Sequence, residues 1–308
     1  MDRRKLRVLL RHKSAMAGFA LLILFVAAAL SIGMWRPYDP TSLEGPAMAK
    51  PGARVTCADC IGTGKTAVGA CDRCAATGKV PGPLHLLGTD DLGRDVLTRL
   101  CYGARVSLVI GFIAVAVSAL IGVPLGAVSG YFGGWIDAAI SRAVEVMLGL
   151  PTILLAILVA TAMGKGVAAL IVAVGVVGIP QFARQVRASV LSIKEQDFVV
   201  ASRALGASPL RTLWHDVLPN ALGPIIVLST LGVGSAILTA AGLSFLGLGV
   251  ETGTAEWGEM LHAGYTERRN SSHLALFSGL AITLAVLAIN LFGDGLRDAL
   301  DPKSEKKA

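Results

Sequence analysis

The sequence predicts an all-α integral membrane protein that crosses the bilayer six times. Three observations carry the expectation: overall apolarity, the length of the charge-free stretches, and the uneven placement of lysine and arginine. The 308 residues are 54% hydrophobic and 16% charged, with a mean hydropathy of +0.66, which is too apolar for a soluble domain and too poor in charge for a disordered chain. A spanning helix needs roughly 20 mostly apolar residues. Six charge-free stretches answer that need: Ser14 to Met34, then those between Arg105 and Asp137, Glu145 and Lys165, Lys165 and Arg184, Asp216 and Glu251, and His273 and Asp294. Two of them exceed one span, so part of each is expected to be loop or interface.

Basic residues in short loops set orientation, because they are retained on the cytoplasmic side. With the N-terminus inside, Arg3, Arg4, Lys5, Arg7, Arg11 and Lys13, then Arg142, Arg184, Arg187, Lys194, Arg203 and Arg211, and finally Arg297, Lys303, Lys306 and Lys307 all fall on one side. The short outside loops hold Lys165, Arg268 and Arg269. The expectation is therefore a multi-pass protein of a bacterial inner membrane with both termini cytoplasmic. The formal net charge of +7 reads as topology and contact with anionic membrane lipid, and no basic patch interleaved with aromatics speaks for nucleic acid.

Residues 1–13 form the cytoplasmic start and 14–35 the first transmembrane helix, which is too long, and lacks a small-x-small site before Arg36, for a cleavable signal. Residues 36–105 form one external segment, with a Gly/Cys-rich insertion at about 44–83 and a polar part from Leu84. In that part Asp90, Asp91, Arg94 and Asp95 precede Val96, Leu97 and Leu100, as in a capped amphipathic helix at the membrane surface or a solvated connecting helix. Residues 106–293 form the transmembrane core. Within it Gly122, Gly126, Gly130 and Gly134 recur four apart, predicting one helix face that admits a neighbouring backbone. Pro124 and Pro151 are expected to kink their helices, with neighbours satisfying the freed carbonyls. Residues 294–308 form a cytoplasmic tail.

Inside the core, residues 187–218 form a cytoplasmic loop containing "SIKEQDFVVASRALGASPLRTLWHDVLPN", which reads as two short helices. Ser192 with Glu195 is expected to make a capping box, Gly206 to end the first helix, and Ser208-Pro209 to start a second that stops before Pro219. A helix-turn-helix projecting from a membrane domain is a docking element.

This segment resembles the "EAA" loop by which permeases of ATP-binding-cassette importers engage their ATPases. Gly206 falls on that family's glycine, and Leu218 and Pro219 on its closing Leu-Pro. The fragments "LGTDDLGRDV", "YGARVSL", "GVPLGAVSGYFGGWID", "RALGAS", "LPNALGPIIV", "LSFLGLGV", "WGEML" and "LFGDGLRDALDP" look like the dipeptide, oligopeptide and nickel branch, in particular its second permeases. The resemblance implies the type I importer permease fold and transport of di- or oligopeptides, with nickel or another small solute as the alternative. It implies a heterodimer with another permease, two ATPase subunits that carry the hydrolysis, and an extracytoplasmic substrate-binding protein. No catalytic residue follows from it. The implied ATPase contacts are Phe198, Ala201, Leu205, Gly206, Ala207, Ser208, Leu210 and Pro219. Val200 stands where the family has its glutamate and Ser202 where it has the second alanine, and residues from about Glu44 to Pro83 have no counterpart in the family pattern.

That insertion carries Cys57-x-x-Cys60 and Cys71-x-x-Cys74, a spacing that suits tetrahedral zinc and resembles the zinc-binding repeats of a chaperone family. An external, oxidising location would favour disulfides as the competing reading, and an iron-sulfur or redox centre is a third. Covalent haem is excluded, since Ile61 and Ala75 stand where its histidine belongs. "GTGKT" at 62–66 lacks the first glycine of a phosphate loop, with Asp59 in its place. Cys101 reads as a small buried side chain. A proton-coupled transporter would need ionisable groups within its spans, which the central stretches do not supply, and Glu145 at a span edge reads as an interfacial or subunit contact. A membrane enzyme would need a converging set, whereas His12, His85, His215, His262 and His273 are scattered along the chain. A membrane-anchored zinc or redox sensor would leave the docking loop without a use.

Overall fold

A computed structural model describes residues 12–35, 40–41, 47–52, 65–66, 69–70, 84–266 and 268–300 of the chain. Apart from one antiparallel pair, β1 (Lys65–Thr66) with β2 (Gly69–Ala70), every named element is helical. Helix is what apolar sequence does in lipid, because each N–H and C=O then finds its partner within its own segment.

The elements follow the charge-free stretches. They are α1 (Lys13–Trp35), α2 (Val96–Phe132), α3 (Gly134–Leu148), α4 (Thr152–Met163) and α5 (Val167–Ile193), then α6 (Asp197–Ala204), α7 (Pro209–Phe245), α8 (Trp257–Thr266) and α9 (Arg268–Leu300). Five of these, α1, α2, α5, α7 and α9, are long and apolar enough to cross a membrane. In place of a straight third span the structure has α3 and α4 meeting at 92°. The bend falls at Gly149 and Pro151, where the ring of Pro151 fixes the turn that leads into α4. Pro124 and Pro180 lie inside α2 and α5.

The predicted surface helix before the second span does not exist as a separate element. Asp95 caps α2, its carboxylate accepting the Thr98 N–H at 2.9 Å, and the helix runs 37 residues without a break. The charged residues that suggested a surface helix precede α2, where Asp90 and Asp91 pair with Arg94, Asp90 also with Arg99, and Asp95 with His85.

The glycine spacing sets how the bundle packs. A Cβ on Gly122 would lie 2.6 Å from the Phe182 Cβ, one on Gly126 would strike the Ala183 carbonyl, and one on Gly130 would lie 2.9 Å from the Arg187 carbonyl oxygen. Three of the four predicted glycines therefore form the seam between α2 and α5. Gly134 does not. It opens α3 with φ +57° and has no atom within 4 Å of a Cβ, because the chain has already turned away at Gly133. From the other side, Gly175 of α5 lies against Val117 and Gly178 against Ser118.

α1 lies against α2 and α9. Arg105 of α2 donates to the Ala29 carbonyl at 2.5 Å, Phe19 stacks on Phe292 with centroids 5.5 Å apart, and Gly18 lets the α9 backbone approach at Ala288. Leu108, Ile110, Leu170, Ile237 and Leu243 fill the centre between α2, α5 and α7. Cys101 is buried in the first turns of α2. Cys57, Cys60, Cys71 and Cys74 lie outside the described residues, as does the tail from 301 onward.

Lipid offers packed helices little hydrophobic gain, so the close approach at the glycines supplies much of the contact energy. Gly126→Val is expected to lower stability by about 1–3 kcal/mol, whereas Gly223→Ala, with no atom within 4 Å of its Cβ, should change it by under about 0.5 kcal/mol. Thermal unfolding in detergent measures both, and equal midpoints would show that the seam is not close-packed.

Candidate functional site

The loop between α5 and α7 carries the site that the sequence singles out. α5 persists to Ile193, and Lys194 after it donates to the Gly130 carbonyl at 2.9 Å, tying the loop's start to the end of α2. The expected capping box is not formed. Ser192 lies within α5, because buried Val190 and Ile193 keep that helix packed for another turn, and α6 starts after Gln196 with no side-chain cap. Asp197 in its first turn faces the positive end of the helix dipole.

α6 ends as its sequence requires. Gly206 has φ +84°, its N–H bonds to the Arg203 carbonyl at 2.9 Å, and the Ala207 N–H bonds to the Ser202 carbonyl at 3.2 Å. This pair of bonds is a Schellman turn, which needs a left-handed residue at the position of Gly206. Ser208 then caps α7, its hydroxyl accepting the Arg211 N–H at 3.4 Å, and Pro209 occupies the first helical position.

The second helix does not stop before Pro219. It is α-helical at Pro209–Arg211, widens to a π-helix at Thr212–Val217, tightens to 3₁₀ at Leu218–Ala221 and runs on as α-helix over Leu222–Phe245. A proline has no N–H to give to an α-helical ladder, and the change of pitch around it lets the chain pass into the span without a loop.

The two short helical segments present opposite characters on their two faces. Val199, Leu213 and Val217 are each 0% exposed and pack on Ala127, Tyr131, Val186 and Val190. Of the predicted contact residues, Phe198, Ala201, Leu205, Gly206, Ser208, Leu210 and Pro219 are exposed and Ala207 is half-buried, with Leu205 at 89%. Val200 and Trp214 add to this apolar outer face and were not predicted. The signal for Trp214 was its helical spacing, one turn beyond Leu210.

Polar contacts hold the loop on its floor. The Ser202 hydroxyl donates to Asp216 at 2.7 Å, joining the two short helices, and the Arg203 guanidinium lies 5.0 Å over the Tyr131 ring. Beneath them Asp137 of α3 takes Nε and an amino group of Arg187, both at 2.6 Å, and accepts the hydroxyls of Ser129 and Ser141. One carboxylate thus joins α2, α3 and α5. Sequence reading missed it, since only the fold brings Asp137 and Arg187 together.

Residues 122–306, which include all of this loop, match the family described as "Binding-protein-dependent transport system inner membrane component". The chain belongs to that family.

Residues 3–51 match the N-terminal transmembrane domain of oligopeptide transport permease C. Over 223 residues the chain is 47% identical to the dipeptide transport system permease protein DppC of Alkalihalophilus pseudofirmus, covering 72% of this chain and 73% of that protein. It is 45% identical over 223 residues to the glutathione transport system permease protein GsiD of Pectobacterium atrosepticum, covering 72% and 74%. The fold matches a chain of the inward-facing methionine ABC transporter MetNI with a TM-score of 0.56 at 22% identity, covering 66% of this chain and 96% of that one.

At the far end of α2 from the loop, this permease buries a second charged cluster. Asp90 is 1% exposed and receives Arg94 Nε at 2.6 Å, with Arg99 Nε at 3.3 Å. Arg99 also donates to the Gly253 carbonyl at 3.1 Å, and His85 meets Asp95 at 2.9 Å. Glu256 caps α8, accepting the Gly258 and Glu259 N–H groups and the Ser107 hydroxyl. The cluster clips the α7–α8 connection to the segment that leads into α2.

Exposure separates the two faces of the α5–α7 loop energetically. Leu205→Ala should leave stability within about 0.5 kcal/mol, while Val199→Ala should cost about 1–3 kcal/mol. Denaturant unfolding of the purified permease in detergent tests this, and a costly Leu205 change would mean that its side chain is packed.

Proposed function

We propose that the chain is one of two permease subunits of an ATP-binding-cassette importer that moves di- or oligopeptides across a bacterial inner membrane. α3 and α4 together act as a sixth, bent span, and both termini and the α5–α7 loop face the cytoplasm, as the placement of basic residues favours. Two ATPase subunits dock on the loop and carry out the hydrolysis, and an extracytoplasmic binding protein delivers substrate to the opposite end. The names of the dipeptide and glutathione relatives support the peptide class. The observation that carries the reading is the exposed apolar face of Phe198, Val200, Leu205, Leu210 and Trp214, set on a buried floor and pinned by a turn only one residue wide. A surface that is to transmit force must be exposed to its partner and rigid toward its own spans.

We also propose that zinc, held by Cys57, Cys60, Cys71 and Cys74, orders the insertion. The ligand spacing supports it, as does the β1–β2 pairing, which reverses the chain between the two cysteine pairs. Elemental analysis of the purified permease should give one zinc per chain, lost in Cys57→Ser/Cys60→Ser. Two disulfides and no metal would overturn the assignment.

Gly206 provides the sharpest test of coupling. Valine at φ +84° is strained by about 1–3 kcal/mol, whereas asparagine tolerates the left-handed region. With the whole importer in liposomes, Gly206→Val should insert and pair with the partner permease yet lose most substrate-stimulated ATP hydrolysis and uptake, and Gly206→Asn should retain them. Normal coupled transport in the valine variant would place the coupling element elsewhere.

A further inference from the structure

A concavity of about 380 Å³ lies among α2, α4, α5 and α7, bordered by Thr152, Gln181, Arg184, Ser235 and Thr239. A second, of about 250 Å³, lies toward the docking loop and is bordered by Ser129, Ser141, Glu145 and Arg187. The two have Leu148 and Arg184 in common.

Thr152, Gln181, Arg184 and Ser235 of the first concavity stand apart from the other polar groups of the spans, Ser118 and Thr239 of the same concavity included. Ser118, Ser229, Thr230, Thr239, Ser278 and Thr283 each donate to the carbonyl four residues earlier, so their helices satisfy them. Among the described residues, Thr152, Gln181 and Ser235 make no side-chain hydrogen bond and Arg184 makes no ion pair, although all four are exposed. The neighbouring charges are already engaged: Arg187 is held by Asp137, and Glu145 pairs with Arg142 at 3.3 Å. Arg184 lies about 26 Å along α5 from Val167 at about 1.5 Å per residue, near one boundary of a hydrocarbon core about 30 Å thick. Unsatisfied amide, hydroxyl and guanidinium groups at such depths are costly against lipid, and a face that carries them meets water or a polar cargo.

We infer that the two concavities are successive stations of this chain's half of the translocation path, and that Arg184 at their junction receives the carboxylate of the passing peptide. The inference rests on the peptide-importer reading above. A guanidinium fork matches a carboxylate with two parallel hydrogen bonds, and Arg184 is the junction's unpaired cation. Leu148 forms the apolar counterpart at the same threshold.

The test uses the whole importer in liposomes and measures uptake of dialanine against its C-terminal amide. Selection by the binding protein cancels when each variant's acid-to-amide ratio is divided by that of the wild type. Arg184→Gln should lower the ratio about tenfold, the loss expected for one charged hydrogen-bonded contact, and Arg184→Lys should lower it less. An unchanged ratio overturns the carboxylate assignment. A deficit that appears only when phosphatidylglycerol is added to phosphatidylcholine assigns Arg184 to lipid phosphate and overturns it too. Separately, Gln181→Cys and Ser235→Cys should react with a charged, membrane-impermeant thiol reagent, located by peptide mass, while Leu120→Cys on the exposed apolar side of α2 should not. Unreactive positions 181 and 235 would overturn the path. If the wild type moves neither compound, the peptide reading fails and the carboxylate assignment falls with it, while labelling still decides the path.

Discussion

The backbone approach of α2 to α5 is the constraint on which the remaining architecture depends. In lipid, two helices gain little by hiding apolar side chains from each other, because the tails they displace are equally apolar. Close van der Waals contact has to supply the attraction, and it falls off within fractions of an ångström. Gly122, Gly126 and Gly130 allow that contact along more than two turns of α2, with Gly175 and Gly178 answering from α5. Once this pair is fixed, α7 packs over its apolar side, α1 lies against α2, and α9 closes on α1, α7 and α8.

The same seam fixes the α5–α7 loop in space. Its floor, formed by Ala127, Tyr131, Val186 and Val190, is the continuation of the α2–α5 contact beyond Gly126 and Gly130. Lys194 bonds directly to the carbonyl of Gly130, a seam residue, and Asp137 closes the group by gripping Arg187. A displacement of the loop therefore cannot be absorbed locally. On the other side the loop passes without interruption into α7, so a push on Leu210 or Trp214 acts on the end of a 37-residue helical run. A flexible linker in that place would dissipate the motion.

Much of this was legible in the sequence because it depended on local rules. Five of the six charge-free stretches gave spans, the stretch between Glu145 and Lys165 holding only the short α4 of a bent pair; the four-residue glycine period gave three seam positions, and Gly206 with Ser208-Pro209 gave the reversal between the two short helices. The errors came where tertiary context overrode a local signal. Ser192 and Glu195 satisfy the capping-box spacing, yet the packing of Val190 and Ile193 extends α5 through the first of them. Pro219 signals a helix end, but a π segment followed by a 3₁₀ turn carries the helix past it. Asp90, Asp91, Arg94 and Asp95 read as a surface helix because the Gly253 carbonyl that Arg94 and Arg99 reach is more than 150 residues away along the chain. No periodicity could reveal that contact.

The two ends of the bundle solve opposite problems. At the far end from the loop the charges are turned inward: Asp90, Arg94 and Arg99 are nearly inaccessible, Asp90 pairing with both arginines and Asp91 facing Arg94 at 3.8 Å. Such a buried cluster adds little net stability, since desolvation offsets attraction, but removing one member leaves the others uncompensated. Its consequence is positional, because the α7–α8 connection has one place to sit, with the Gly253 carbonyl in the fork of Arg99. At the end that carries the α5–α7 loop the arrangement is reversed, with apolar side chains turned outward and the polar anchors beneath them. Exposed leucine, phenylalanine and tryptophan in aqueous surroundings favour a covering surface. A permease built this way is held rigid at one end by contacts within its own chain, and at the other it turns an apolar surface outward, the one proposed above for the ATPase contact.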